Sequence, residues 1–253
     1  HDIAFKYRVY SQDNILCCIV KKEATGFMLP EGSTTFLCPQ AAPMGGFART
    51  SPSYETSYTV DDVTGKNGWG NGYTFPCLFK NEDKGWILIS ETGVSSAYCG
   101  SRLLGKENGL YTIGFPQEGE YNGNGTVSPG IALPGETPWR TITVGKTLAP
   151  IVETTVMFDV VKPLYEASQD FQYGCGTWSW IIGGDNSMNY DEQKRYIDFS
   201  ADMGYSSVLV DALWDTQVGR DKIAELADYA ASKGVALYLW YNSNGYWNDA
   251  PQS

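Results

Sequence analysis

Gly174-Cys-Gly-Thr-Trp178-Ser-Trp180, Ser207-Val-Leu-Val-Asp211-Ala-Leu-Trp214-Asp215 and Val235-Ala-Leu-Tyr-Leu-Trp240-Tyr-Asn242 are three apolar runs, each ending in tryptophan beside a polar group. They alternate with two segments of helical periodicity and recur about every 30 residues, the length of one βα unit. Runs so continuously apolar suit parallel strands covered on both faces. The repeat predicts the first three βα units of a (β/α)8 TIM barrel over residues 173–253, ending about five units short of closure. Such barrels place their chemistry at the C-terminal ends of the strands. Here those ends carry indole rings and carboxylates, the side chains that hold a sugar ring.

The helical segments have legible ends. Asn189-Tyr-Asp-Glu192 has the shape of a capping box, with Asn189 as N-cap. Tyr196, Phe199, Ser200 and Met203 make the expected buried face, and Gly204 suits the C′ position. A second helix is predicted from about Arg220 to Lys233. Ile223, Leu226, Ala227 and Ala230 line its inner face, and Gly234 ends it.

Upstream the pattern changes. Residues 1–146 read as all-β, with short alternating runs such as Asn14–Val20, Trp86–Glu91, Leu110–Phe115 and Trp139–Val144. Gly, Pro and Asn punctuate them, and the spacing predicts a β-sandwich. His1 opens directly onto the strand-like Ile3–Tyr10, so the sandwich is expected to be incomplete at its start. The Gly-rich stretches Thr64–Gly72 and Tyr121–Gly125 read as turns, since neither has the Gly-Lys-Ser/Thr ending of a phosphate loop. Residues 147–172, with Pro150 and Pro163, are expected to form an inter-domain linker.

Composition excludes several function classes. A formal net charge of −11 and a sequence pI near 4.5 leave no electrostatic footprint for a nucleic acid. No apolar run approaches the roughly 18 residues of a membrane span. The single histidine is the terminal His1, which argues strongly against a Ser/His/Asp or Cys/His centre and against a multi-histidine metal site in this chain. Acid-base work falls to carboxylates. The six cysteines show no zinc spacing and read as free thiols, with a disulfide or two as the alternative.

Asp211 follows Val-Leu-Val directly and is the foremost candidate for accepting hydrogen bonds from sugar hydroxyls. Asp215 reads better as a loop or cap acid. Trp178, Trp180, Trp214, Trp240 and Tyr241 are candidate stacking platforms, because sugar C–H groups meet the negative face of an aromatic ring. Ordinary core packing is the alternative for each of them. Asn242 and Asn244 are candidate polar contacts or plain turn residues.

Taken together these segments resemble glycoside hydrolase family 97. The matching stretches are Tyr196–Gly204, Val208–Trp214 and Leu226–Trp240, with Ile3–Arg8, Ile89-Ser-Glu91 and Pro138-Trp-Arg140 in the β region. The resemblance implies a sandwich fused to a (β/α)8 barrel that hydrolyses α-linked glucosides or galactosides from the non-reducing end, often with calcium. Asp211, Trp214, Trp178, Trp180, Trp240 and Asn242 would then bind the sugar. By resemblance alone, Glu91 matches a sandwich glutamate that serves as a calcium ligand. The general acid and its partner carboxylate would come from later strands, so no catalytic pair is assigned in this chain and the fragment alone is expected to be inactive. The chain departs from a common family pattern at Asp211-Ala-Leu-Trp214, where members often carry an acid and a glycine between the two ends. The implied partners are an oligosaccharide or α-glycoside substrate and the remaining barrel segment, in the same or a second chain. The implied location is periplasmic or secreted, in a bacterium. Two other readings stand beside this one: a non-catalytic carbohydrate-binding protein, and half of a barrel completed by a second polypeptide.

Overall fold

The computed structural model describes residues 1–40, 59–60, 72–107, 109–119, 126–168, 170 and 173–241. The chain divides into two units, His1–Leu164 and Tyr165–Ser253. Most of Thr64–Gly72, all of Tyr121–Gly125, and Asn242 and Asn244 lie outside the described residues.

The first unit is antiparallel β structure. Its strands are β1 (Asp2–Phe5), β2 (Arg8–Val9), β3 (Cys17–Ile19), β4 (Gly26–Met28), β5 (Thr34–Pro39), β6 (Thr59–Val60), β7 (Tyr73–Asn81), β8 (Gly85–Thr92), β9 (Arg102–Glu107), β10 (Leu110–Gly114), β11 (Gly130–Ala132), β12 (Gly135–Glu136) and β13 (Trp139–Gly145). Nine of them form one sheet in the order β1-β13-β8-β7-β9-β10-β4, with β5 joined to β7 and β6 to β5. Two small ribbons, β11-β3 and β12-β2, complete the set among the described residues. The long strand β7 changes partner along its length: Cys77 to Asn81 pair with β8, whereas Tyr73 pairs with Leu103 of β9. Pro76, which has no N–H to give to a ladder, stands between the two stretches.

Alternation explains the core of this unit. Tyr73, Cys77 and Phe79 of β7 pack with Leu37, Ile89, Leu103, Tyr111 and Ile113 from neighbouring strands. At the β7–β8 turn, Gly85 has φ +146, and a Cβ there would meet the Gly145 carbonyl at 2.5 Å. Only glycine fits that approach. The segment expected as a linker begins with two short helices, α1 (Ala149–Glu153) and α2 (Val156–Asp159). Both are tied to the sheet unit. Thr92 Oγ1 donates to the Met157 carbonyl at 3.0 Å, and Asp2 Oδ1 accepts from Thr143 at 2.6 Å and Thr154 at 2.9 Å.

The second unit is βα. Strands β14 (Gly176–Trp178), β15 (Ser207–Val210) and β16 (Ala236–Leu239) form a parallel sheet in that order. A short helix α3 (Trp180–Gly183) and a 3-10 turn follow β14. Helix α4 (Tyr190–Asp202) leads to β15, and α5 (Arg220–Ser232) leads to β16. Asn189 caps α4 as expected, its side chain accepting from the Glu192 N–H at 2.9 Å. Gly204 (φ +69) and Gly234 (φ +73) turn the chain after the two helices. Met188, Ile197, Val208, Val210, Trp214, Ile223, Leu226, Ala230 and Val235 make the core. No helix among the described residues is long and apolar enough to cross a membrane.

One helical face differs from expectation. Helix α4 buries Gln193, Ile197 and Ser200, while Phe199 and Met203 are about half exposed. A polar residue leads the inner face. Gln193 Nε2 donates to Ser179 Oγ at 2.9 Å and to the Ser187 carbonyl at 2.7 Å. Phe199 packs edge-on against Tyr205 outside the core cluster. Helix α5 keeps its expected inner face at Ile223, Leu226 and Ala230, with Ala227 half-buried.

Candidate functional site

The C-terminal ends of β14 and β15 bring two of the predicted residues together. Trp178 pairs in register with Leu209, so the residue two past Leu209 lies just beyond the indole's own strand. That residue is Asp211, only 5 % exposed. Its Oδ2 accepts from Trp178 Nε1 at 2.5 Å, and its Oδ1 accepts from the Ala212 N–H. A buried carboxylate is costly unless hydrogen-bonded, and these two donors hold it in place.

Trp178 is 38 % exposed and stacks on Trp180, with ring centroids 5.9 Å apart and planes at 20°. Trp180 Nε1 in turn donates to Asp185 Oδ1 at 3.0 Å. The result is a two-indole surface beside a fixed hydrogen-bond acceptor. That pairing of an apolar ring face with an oriented carboxylate matches a pyranose, which has C–H groups on one face and hydroxyls at its edge.

Trp214 occupies a different place from the one expected. It is 2 % exposed and belongs to the core. Its Nε1 donates to the Trp240 carbonyl at 3.0 Å, and Tyr241 meets it edge-on at 5.6 Å. An indole this enclosed braces the ends of β15 and β16 and offers no open ring face. Trp240 is half-buried, with its N–H on the Val210 carbonyl at 2.9 Å. Asp215 Oδ1 accepts from the Thr216 N–H in the turn that follows.

That turn carries an unusual backbone. Leu213 has φ +69 and ψ +6, in the left-handed region, and opens a single π turn over Trp214–Val218. Its carbonyl accepts from Gln217 N at 2.8 Å, Thr216 N at 3.2 Å and Thr216 Oγ1 at 3.3 Å.

In the first unit, Glu91 lies near the end of β8, directly opposite Arg140 of β13. Arg140 has no exposed side-chain surface and holds two carboxylates. Its Nε reaches Glu23 Oε1 at 2.9 Å and Nη2 reaches Glu23 Oε2, a bidentate pair. Its Nη1 donates to Glu91 Oε2 and to Ser101 Oγ. Ser101 completes the set by donating its backbone N–H to Glu91 Oε1 at 2.9 Å and its hydroxyl to Oε2 at 2.6 Å. Burial pulls the Arg140 guanidinium's pKa down, but the bonds and charge of Glu23, then Glu91, outweigh it and leave the group above its ordinary range. Burial, then the Glu91 charge, pushes the Cys99 thiol up.

Glu91 suits one point of a hard-cation site. Oε1 takes a single hydrogen bond and keeps lone-pair capacity. The cluster also sums one positive and two negative formal charges. Calcium takes six to eight oxygens, and no group of three or more His, Cys, Asp or Glu gathers among the described residues. Glu91 by itself does not make up such a site. Arg140 stood out in the sequence only within Pro138-Trp-Arg140. Glu23 carried no signal in the sequence.

Two family models match the chain. The glycosyl-hydrolase 97 N-terminal model covers residues 1–163, and the glycoside hydrolase 97 model covers residues 170–252. The chain belongs to glycoside hydrolase family 97. Within the family's neighbourhood, a solved β-arabinopyranosidase is 55% identical with a TM-score of 0.88, over 99% of this chain and 40% of its own. A probable retaining α-galactosidase from Streptomyces bingchenggensis (strain BCW-1) is 29% identical over 234 residues, 86% of this chain. A family 97 enzyme from Pseudoalteromonas sp. strain K8, solved with acarbose, has the same fold with a TM-score of 0.66 at 23% identity. The chain spans 33% of the Streptomyces protein's length, about a third of that curated relative.

Proposed function

We propose that this chain is part of an exo-acting glycoside hydrolase that releases a non-reducing-end sugar of galacto configuration, with β-arabinopyranosides as its preferred substrates. The observation that carries this reading is the 55% identity to a β-arabinopyranosidase across 99% of the chain. It is compatible with the α-galactosidase relatives. β-L-Arabinopyranose has the ring and hydroxyl arrangement of α-D-galactopyranose, with hydrogen in place of the hydroxymethyl group at C5. One acceptor and one stacking surface serve both sugars.

In this reading the antiparallel unit is the β-sandwich domain, and the three parallel strands open a (β/α)8 barrel whose C-terminal ends face the substrate. Asp211 accepts from ring hydroxyls, while Trp178 and Trp180 carry the apolar face. The acid-base carboxylates lie in the length of the relatives that this chain does not span. Retention needs two carboxyls roughly 5 to 5.5 Å apart, and two relatives are described as retaining enzymes. Glu91 would supply one oxygen ligand to a calcium ion, a hard Lewis acid that takes its other ligands from further oxygens.

The test is an assay of the full-length protein on p-nitrophenyl β-L-arabinopyranoside, α-D-galactopyranoside and α-D-glucopyranoside. Cleavage led by the arabinoside is expected. A protein that turns over none of the three, yet binds arabinose, belongs to the non-catalytic class instead.

A further inference from the structure

We infer that Gln193 is a positioning residue for the indole platform: its buried amide ties Ser179 to Ser187 and so fixes the turn that holds Trp180 against Trp178. This rests on the reading of the two indoles as a sugar-binding surface and deepens it by a residue that itself touches no sugar.

After Trp180 the chain makes a turn without an apolar anchor of its own. Residues 181–183, 185 and 186 are exposed, and Met188 is the next core residue. The anchors are the two ends of the turn, Ser179 at 0 % exposure and Ser187 at 3 %. Ser179 stands between the stacked indoles in the chain, and its carbonyl accepts from Ile182 N at 3.2 Å and Gly183 N at 2.9 Å. Ser187 Oγ closes the far end on the Gly184 carbonyl at 2.8 Å, and the two serine hydroxyls meet at 3.0 Å. One group spans both ends. Gln193 Nε2, at the start of α4, reaches Ser179 Oγ and the Ser187 carbonyl together. A second glutamine grips the same turn from the loop after β15. With its amide nitrogen turned toward them, Gln217 donates to the Asp185 carbonyl at 3.0 Å and the Met188 carbonyl at 3.2 Å.

Stability alone does not account for Gln193. It is 0 % exposed, and its Oε1 has no hydrogen-bond partner among the described residues. A buried acceptor left unmet costs free energy, and an apolar side chain of the same length avoids that cost. Nor do its partners depend on it. The Ser187 carbonyl also accepts from Asn189 N at 2.9 Å, and Ser179 Oγ keeps its bond to Ser187 Oγ. What the amide supplies is geometry. It sets the distance between the ends of the turn, and with it the place of Trp180. Asp185, inside the turn, then orients that indole through Nε1. A stacking face binds best when both rings are in place before the sugar arrives.

The experiment uses the full-length enzyme and compares wild type, Gln193→Met, Trp180→Phe and Ile197→Val. Stacked indoles couple their transitions, so the far-ultraviolet circular dichroism of wild type minus Trp180→Phe isolates the signal of the pair. Gln193→Met is expected to lose that signal and to raise KM for the arabinopyranoside roughly tenfold at unchanged kcat, the pattern of lost binding without lost chemistry. It should melt no lower than Ile197→Val, a core truncation on the same helix that is expected to keep both the signal and KM. A Gln193→Met variant with the wild-type signal and KM overturns the inference. So does an Ile197→Val variant that changes signal and KM alike, because the effect is then general loosening of α4. A lost signal at unchanged KM overturns it together with the sugar platform, while the hydrolase reading stands. If wild type cleaves none of the glycosides, the hydrolase reading falls and calorimetric titration with arabinose decides: weaker binding by Gln193→Met supports the positioning role, and equal binding overturns it.

Discussion

Arg140 and Glu91 face each other across adjacent antiparallel strands, so the register of β13 on β8 places a fully enclosed guanidinium against the carboxylate. The same guanidinium grips Glu23 with two parallel bonds. Removing it leaves two enclosed carboxylates facing each other without a cation. Arg140→Met is expected to cost about 3–5 kcal/mol, the usual loss when one partner of a buried pair is deleted. Arg140→Lys keeps the charge but loses the fork, and falls between the two. Urea unfolding of the first unit's signal measures both.

Tyr98 gives the first unit an alkaline limit. Burial, then the neighbouring Glu23 charge, raises its phenol well above the usual tyrosine range. A raised folded pKa means its contribution is intact below the unfolded value near 10 and is lost as pH rises toward the folded value. Stability should therefore decline from about pH 10 upward. Tyr98→Phe should flatten that decline, as read by denaturant midpoints across the alkaline range.

Trp178 and Asp211 are coupled through one N–H. Trp178→Phe keeps the apolar body and leaves Asp211 with the Ala212 N–H, a loss of about 1–3 kcal/mol. In the full-length enzyme, Asp211→Asn should lower kcat/KM by about tenfold to a hundredfold, the worth of a hydrogen bond to a charged group. A variant that folds normally and keeps wild-type kcat/KM would remove Asp211 from the sugar site.

Chelation tests Glu91. Treating the full-length enzyme with a calcium chelator should lower turnover, and added calcium should restore it. Glu91→Gln should raise the calcium concentration needed for that recovery, because one anionic ligand is gone. Calorimetric titration with calcium alone reads the same change without turnover.

Particular residues show what was legible in the sequence. The capping box at Asn189 and the three apolar runs were readable because their causes are local, a side chain bonding three residues on and an apolar run of strand length, although one face of β14 and β16 stays open among the described residues. On α4, Ser200 and Tyr196 turn inward as expected, but hydrophobicity also points at Phe199 and Met203, whereas the remaining inner position goes to Gln193 through bonds to Ser179 and Ser187. Trp214 could not be told from Trp178 by sequence, since both end apolar runs. Only the carbonyl of Trp240 decides that one indole is braced inside. Glu23 was invisible because its partner lies 117 residues away.

The contrast between those two indoles has a spectroscopic consequence. Trp178 is 38 % exposed and Trp214 2 %. Trp178 donates to the Asp211 carboxylate and Trp214 follows Asp211 by three residues, so a single neighbourhood holds one wet and one dry fluorophore. Acrylamide reaches the first and not the second, and emission from the two separates in wavelength. A ligand covering the stacked pair dims the quenchable fraction alone, whereas loosening of the strand ends shifts the protected fraction. A variant that keeps only these two of the chain's eight tryptophans would carry its own reporters for occupancy and for integrity, read apart in one cuvette.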